Sequence, residues 1–214
     1  MKDNIYDFKF WQLWTVIALL YLIFSILSNT YIFTNNFYYK SFSDKFTIER
    51  IAEMISFQRK FQNIGYLLIS VVLLIKVSLI AGVIFMGTFL ISQNISYQNC
   101  LKIALIAELV SFIGVLIRTA WLLIHRPDTA QAIQYFSPFS ISQLFNIDKI
   151  PKYLIYPLQL FNIFELAYWL VLAFGIMTFS EMKFPKSIKV VAGSYGVALF
   201  IWTVFIVFIQ VQFT

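Results

Sequence analysis

Long apolar runs separated by shorter polar stretches make up most of the chain. A helix that crosses a bilayer needs about 20 predominantly apolar residues, and five runs satisfy this: 11–33, 64–91, 101–124, 158–179 and 188–211. The first is free of charge between Lys9 and Lys40, and the last carries only Lys189, at its very start. Lys76 interrupts the second run, Glu108 and Arg118 the third (with Lys102 at its edge), and Glu165 the fourth. The second run exceeds the thickness of a bilayer core, so it is expected to tilt, to extend into water or to break near Gly82. Barrel strands would alternate apolar and polar residues over about ten positions. Stretches such as 67–75 and 170–174 are apolar on every side, which leaves helices as the spanning option. The predicted fold class is all-α, a polytopic transmembrane bundle of five spans forming one integral membrane domain over 1–214.

The segments between the runs carry their own patterns. In 44–61, Ile48, Ile51, Met54, Ile55 and Phe61 share one helical face, and Glu49, Glu53, Ser56 and Lys60 share the other, with Ser43 as the expected cap. Such a helix either lies in the membrane interface or packs on the protein's own spans. Ser137-Pro138 reads as a cap followed by proline at a first helical position, opening a short apolar helix through Phe145. Asp148 to Pro151 reads as a turn, and Tyr156-Pro157 as the start of the fourth span.

Composition agrees with this pattern. Hydrophobic residues are 60% of the 214 and charged residues 12%, against about 45–50% and about 25% in soluble domains, and mean hydropathy is +0.80. This excludes a soluble enzyme, a disordered chain and a coiled coil. The formal net charge of +6 belongs with anionic lipid headgroups and orientation, so no nucleic-acid partner is expected. One cysteine, Cys100, and one histidine, His125, leave no disulfide framework and no usual metal-ligand set. No metal and no cofactor is expected.

Lys2 and Lys9 ahead of 13–26 have the layout of a signal peptide, but 27–33 is bulky and offers no small-x-small cleavage site, so a retained signal anchor is expected. With five spans, one side carries Lys2, Lys9, Lys102, Lys183, Lys186 and Lys189, and the other carries Lys40, Lys45, Arg50, Arg59, Lys60, Arg126, Lys149 and Lys152 on longer loops. Short loops dominate the positive-inside rule, and the tail Gln212-Phe213-Thr214 has no cation. The expected orientation is N-terminus inside and C-terminus outside.

Ionisable groups inside a bilayer are costly, about 2.5–3.5 kcal/mol each on insertion scales, and mark protein-facing or water-facing positions. Helical spacing places Glu108, Ser111, Arg118 and Thr119 in one stripe, clusters Asn162, Glu165 and Tyr168, and brings Gly65 and Gly87 near the Lys76 face. Lys76, Glu108, Arg118 and Glu165 are therefore expected to form one buried polar network joining spans two, three and four. Three readings of it stand: a proton, ion or solute path; ion pairs that hold helix register; and snorkelling of Lys76 and Arg118 to the interface. Ala192-x-x-x-Gly196 suits close packing within the bundle or across a dimer.

The chain contains no H-E-x-x-H, G-x-S-x-G, Walker A or G-x-G-x-x-G motif. His125-Arg126-Pro127-Asp128 could bind phosphate or act as acid and base, but a headgroup anchor, a helix stop and a turn cap account for it better. The aromatic share of 19% is explained by lipid-facing Phe and by Trp11, Trp14, Tyr31 and Trp121 near helix ends.

The five-helix count, an N-terminal region of cytoplasmic type, short late loops, an almost charge-free last span with a short tail and the stretch Tyr135-Phe136-Ser137-Pro138-Phe139-Ser140-Ile141 together give a layout that resembles the Yip1 family of five-span membrane proteins, its bacterial members above all. The resemblance covers most of 64–213 and implies a non-enzymatic protein acting through protein or lipid partners. It implies no catalytic residues. The acidic-aromatic-glycine-proline signature of eukaryotic members is not found here, and no trafficking role is carried over. A bias toward Phe, Ile, Lys and Asn suggests an AT-rich bacterial genome and hence an inner membrane. The competing expectation is a transporter or permease subunit using Lys76, Glu108, Arg118 and Glu165, which requires a water-filled cavity and broken helices near mid-membrane.

Overall fold

The structure is a computed structural model that describes residues 8–146 and 149–212. All regular structure among these residues is helical: α1 (Phe10–Tyr31), α2 (Asn35–Phe42), α3 (Ile48–Leu90), α4 (Tyr97–His125), α5 (Ala130–Tyr135), a 3-10 turn (Ile141–Leu144), α6 (Lys152–Leu160), α7 (Ile163–Phe179), α8 (Phe184–Val191), a π-helical turn (Ala192–Gly196) and α9 (Val197–Gln212). Four continuous helices are long and apolar enough to cross a membrane: α1, α3, α4 and the α8–α9 rod Phe184–Gln212. The helix α7 is apolar but shorter.

Helix α4 packs against α1, α3 and α7, and α7 packs against α8. The shared core is aliphatic: Val77, Ala81 and Ile84 of α3, Ile103, Ala104 and Ala107 of α4, and Leu172, Ala173 and Ile176 of α7 are all fully buried. Small residues set the spacing. A Cβ on Gly175 would lie 2.6 Å from the Ile103 side chain, and one on Gly87 would lie 2.5 Å from Ser194 Cβ. Outward faces remain oily, with Leu67, Leu79, Phe200 and Phe208 all well exposed and no buried residue in α9, as lipid contact requires.

Several sequence expectations are corrected. The amphipathic segment 44–61 and the second span 64–91 are one 43-residue helix. No proline interrupts Ile48–Gly65 and half of its residues are strong helix formers, so nothing stops the helix between them. At about 1.5 Å per residue it is roughly 65 Å long, about twice a hydrocarbon core. Its first turns therefore continue along the line of the span. Ile51 and Ile55 are buried on this portion, α2 packs against α3, and Arg59 donates to Asn35 Oδ1 at 2.8 Å. Ile48 and Phe57 face outward. The cap of α3 is Thr47, whose hydroxyl accepts from the Arg50 N–H; Ser43 instead closes α2.

The fourth span is broken. Pro157 lies inside α6 and does not open a helix; it removes the donor that would hold the Tyr153 carbonyl. The chain leaves the helix at Phe161, and Asn162 starts α7 by accepting the Glu165 N–H on Oδ1 at 2.9 Å. The freed backbone groups are met by the preceding loop: Ile141 N–H donates to Phe161 O at 2.9 Å, and Ile163 N–H to Phe139 O at 3.3 Å. Ser137-Pro138 is likewise not a helix start. It forms a turn in which Pro138 fixes the second position, Phe139 takes φ +55°, and Ser140 N–H returns to Ser137 O. Glycine usually fills that third position, so Phe139 carries backbone strain of about 1–3 kcal/mol.

Helix α4 ends with Arg126 in the left-handed region followed by Pro127, as the sequence implied, but the next cap is Thr129 and not Asp128. Asp128 pairs with Lys40 at 2.9 Å on the surface. The expectations resting on Lys2, Asp148, Phe213 and Thr214 lie outside the described residues.

The Gly87–Ser194 contact yields a test. Gly87→Ala should destabilise the purified protein in detergent by about 1–3 kcal/mol through overpacking. Gly65→Ala, where a Cβ meets nothing within 4 Å, should be neutral or stabilising by up to about 1 kcal/mol. Thermal unfolding followed by circular dichroism reads both.

Candidate intramembrane charge site

The expected four-residue network divides into two parts. Lys76 of α3 and Glu108 of α4 form an ion pair, Nζ to Oε2 at 2.9 Å. Glu108 is only 1% exposed, whereas the Lys76 side chain is 48% exposed. The Tyr168 hydroxyl of α7, itself buried, donates to the other carboxylate oxygen, Oε1, at 3.0 Å. Lys76 Nζ also sits 5.9 Å from the centroid of the Tyr168 ring, a cation-π contact. One carboxylate thus ties three helices together.

Depth follows from the helix register. Glu108 lies eleven residues into α4, Tyr168 eleven residues before the end of α7 and Lys76 fourteen before the end of α3. These offsets correspond to about 16–21 Å from the same end of the bundle, near the middle of a 30 Å hydrocarbon core. In that medium an unmatched carboxylate would be prohibitive.

Glu165 forms the second part. It stands in the first turn of α7, and its Oε1 accepts from Trp169 Nε1 at 2.9 Å and from the Tyr195 hydroxyl at 2.9 Å. Tyr195 comes from the π-helical turn, where one extra residue per turn rotates the face of the last helix. Its ring lies 5.5 Å from that of Tyr168, which brings the two carboxylate clusters side by side. The small residues of Ala192–Gly196 permit this approach: a Cβ on Gly196 would lie 2.5 Å from Trp169.

Arg118 does not join the Lys76–Glu108 pair. Its Nη2 donates to the Ile133 carbonyl at 2.8 Å, and its buried Nε has no partner. Arg118 and Glu165 form no ion pair with each other among the described residues. They do share the lining of a small cavity of about 200 Å³, together with Ser111, Gly114, Ser137 and Asn162.

His125 is placed by its own helix. Its Nδ1 is 3.0 Å from Trp121 O and its ring stacks on Trp121 at 4.2 Å. Trp121 is covered on the other side by Phe136 at 3.7 Å. No group of three or more His, Cys, Asp and Glu side chains that could hold a metal is found among the described residues.

Reading the sequence alone missed Trp169 and Tyr195. Trp169 was detectable as the i+4 neighbour of Glu165. Tyr195 was not, because a regular helix through Ala192–Gly196 would have pointed it elsewhere. No known family, curated protein or solved structure matches the chain.

Removing the partner of the buried Glu108 should cost far more than removing both residues. Lys76→Leu leaves Glu108 unmatched and should lose about 3–5 kcal/mol, whereas Lys76→Leu with Glu108→Leu should recover most of it. A double-mutant cycle on detergent-solubilised protein measures the coupling. Additive losses would show that the pair contributes nothing specific.

Proposed function

We propose that the chain is a five-pass, non-enzymatic membrane protein that acts through protein or lipid partners, with its ends on opposite sides of a bacterial inner membrane and a layout like that of the Yip1 family. The carrying observation is the closed pairing of Glu108: at 1% exposure it is answered by Lys76 and Tyr168 in a packed aliphatic core. Charges used this way fix which helices meet and at what register, which suits a scaffold. Passage of α7 through the bilayer is supported by its neighbours. Gly175 meets Ile103 near one end of α4, Tyr168 meets Glu108 at mid-depth, and Phe164 lies 3.2 Å from where a Gly114 Cβ would be. The nine residues of α6 extend α7 toward the opposite face.

The break at Phe161–Asn162 and the cavity beside Arg118 and Glu165 favour a second reading, a transporter or permease subunit. The two readings differ in what Glu108 does. A scaffold needs only its charge balance, so the leucine pair at positions 76 and 108 keeps partner binding, whereas a transporter stops.

Topology is checked with single cysteines at Phe8→Cys and Gln212→Cys, the buried Cys100 staying silent. A membrane-impermeant maleimide should label the two from opposite sides of sealed vesicles. Labelling from the same side overturns the five-pass reading. Proteoliposomes carrying a pH-sensitive dye should show no proton flux attributable to the protein; flux abolished by Glu108→Gln would establish transport in its place.

A further inference from the structure

From the Arg118 cavity we infer a binding site for a zwitterionic headgroup, one carrying both a phosphate and an ammonium, as in a phosphoethanolamine lipid. The inference rests on the membrane-protein reading above and names its lipid partner.

The argument begins with an unmet charge. A guanidinium is permanently charged and offers five N–H donors in a rigid fork. Here Arg118 spends one on a neutral carbonyl, that of Ile133, and keeps a buried Nε with no acceptor. A cation in that position normally faces an anion, and the adjoining space is a cavity of about 200 Å³. A phosphate seated there would receive the fork bidentately. Ser111 and Ser137, which also line the cavity, supply hydroxyls to it.

Glu165 argues for the second charge. It borders the same cavity, its hydrogen bonds come from the neutral donors of Trp169 and Tyr195, and no cation lies within ion-pair distance of it among the described residues. Opposite charges sharing one low-dielectric cavity attract strongly. These two are instead held apart, Arg118 by Ile133 and Glu165 by the two aromatic donors. A ligand that presents its anion to Arg118 and its cation to Glu165 satisfies both without moving either.

Depth and size select the source. Arg118 lies seven residues before the end of α4, about 10 Å from it, which is the level of the headgroup boundary. The cavity is smaller than the 300–1,000 Å³ of drug-sized sites, so it takes a headgroup while the tails remain in the bilayer. The strained Phe139 turn beside Pro138 stands at this cavity, and such strain is retained where surrounding structure fixes it for use.

The test uses the full-length protein reconstituted in nanodiscs of equal phosphatidylethanolamine and phosphatidylglycerol, with retained lipid read by native mass spectrometry after release into detergent. The wild type should retain phosphatidylethanolamine about tenfold over phosphatidylglycerol. Arg118→Gln should lower retention of both lipids about tenfold, as loss of a bidentate charged contact implies. Glu165→Gln should keep phosphate binding and abolish the preference between the lipids. Lys183→Gln, at the opposite end of the bundle, should change nothing. Should Arg118→Gln not elute as a monodisperse species, Arg118→Lys replaces it; it keeps the charge without the fork and should still weaken retention several-fold. Unchanged retention in the Arg118 variant, or equal retention of the two lipids by the wild type, overturns the inference. Displacement of the lipid by free phosphoethanolamine at equal concentration would overturn the lipid source and assign the site to a soluble zwitterion. The cysteine-labelling result stands apart from all of these, so a failed lipid test leaves the five-pass reading intact.

Discussion

Burying a carboxylate among helices long and apolar enough to cross a membrane is the constraint around which this bundle is organised. Glu108 is buried to 1%, and hydrocarbon gives it no water to lean on. Two oxygens must each find a donor. Lys76 supplies one and Tyr168 the other. Those residues lie on α3 and α7, so satisfying one side chain on α4 sets how far each of these two neighbours is shifted along its axis, while α1 packs on the same helix. The aliphatic contacts around the pair, Val77, Ala104 and Leu172 among them, fill space but tolerate sliding. The directional bonds do not.

The same logic governs the irregular parts of the chain. The fourth apolar run breaks at Phe161–Asn162, beyond the helix that carries Pro157, and the break leaves backbone groups without intrahelical partners. The loop carrying Ser137-Pro138-Phe139 answers them with two backbone hydrogen bonds. A connection that reads as a linker is therefore a structural prop for α7. In the last span, the π-helical turn at Ala192–Gly196 rotates Tyr195 onto Glu165 and brings Ser194 against Gly87. Both irregularities serve the start of α7, which is where the second carboxylate and the Arg118 cavity lie.

Seen this way, the four intramembrane charges have different occupations. Lys76, half-exposed, neutralises Glu108, which is in the packed interior. Glu165 is held by aromatic donors, and Arg118 by a carbonyl and an open cavity. The balance of two positive and two negative charges does not reduce to two ion pairs. The surplus pairing capacity lies along one cavity, with Arg118 toward one end of the bundle and Glu165 one turn of α7 from Tyr168.

The apolar runs, their lengths and the few charges within them were enough to establish an all-helical chain with helices long enough to cross a membrane, because hydrocarbon admits few alternatives. They also marked Lys76, Glu108, Arg118 and Glu165 as the costly positions, since expense is a property of residue type and depth. Which charge met which was not legible. Lys76 and Glu108 are 32 positions apart, and their meeting depends on the rotation and axial shift of two helices, which no local period encodes. The fusion of 44–61 with the second span was hidden because an amphipathic pattern and an apolar run can share one unbroken helix. The role of Tyr195 was hidden because a single extra residue in one turn changes the face it presents. Solvent preference is written residue by residue, but partner choice emerges only when helices pack and each buried polar atom must find a donor or acceptor.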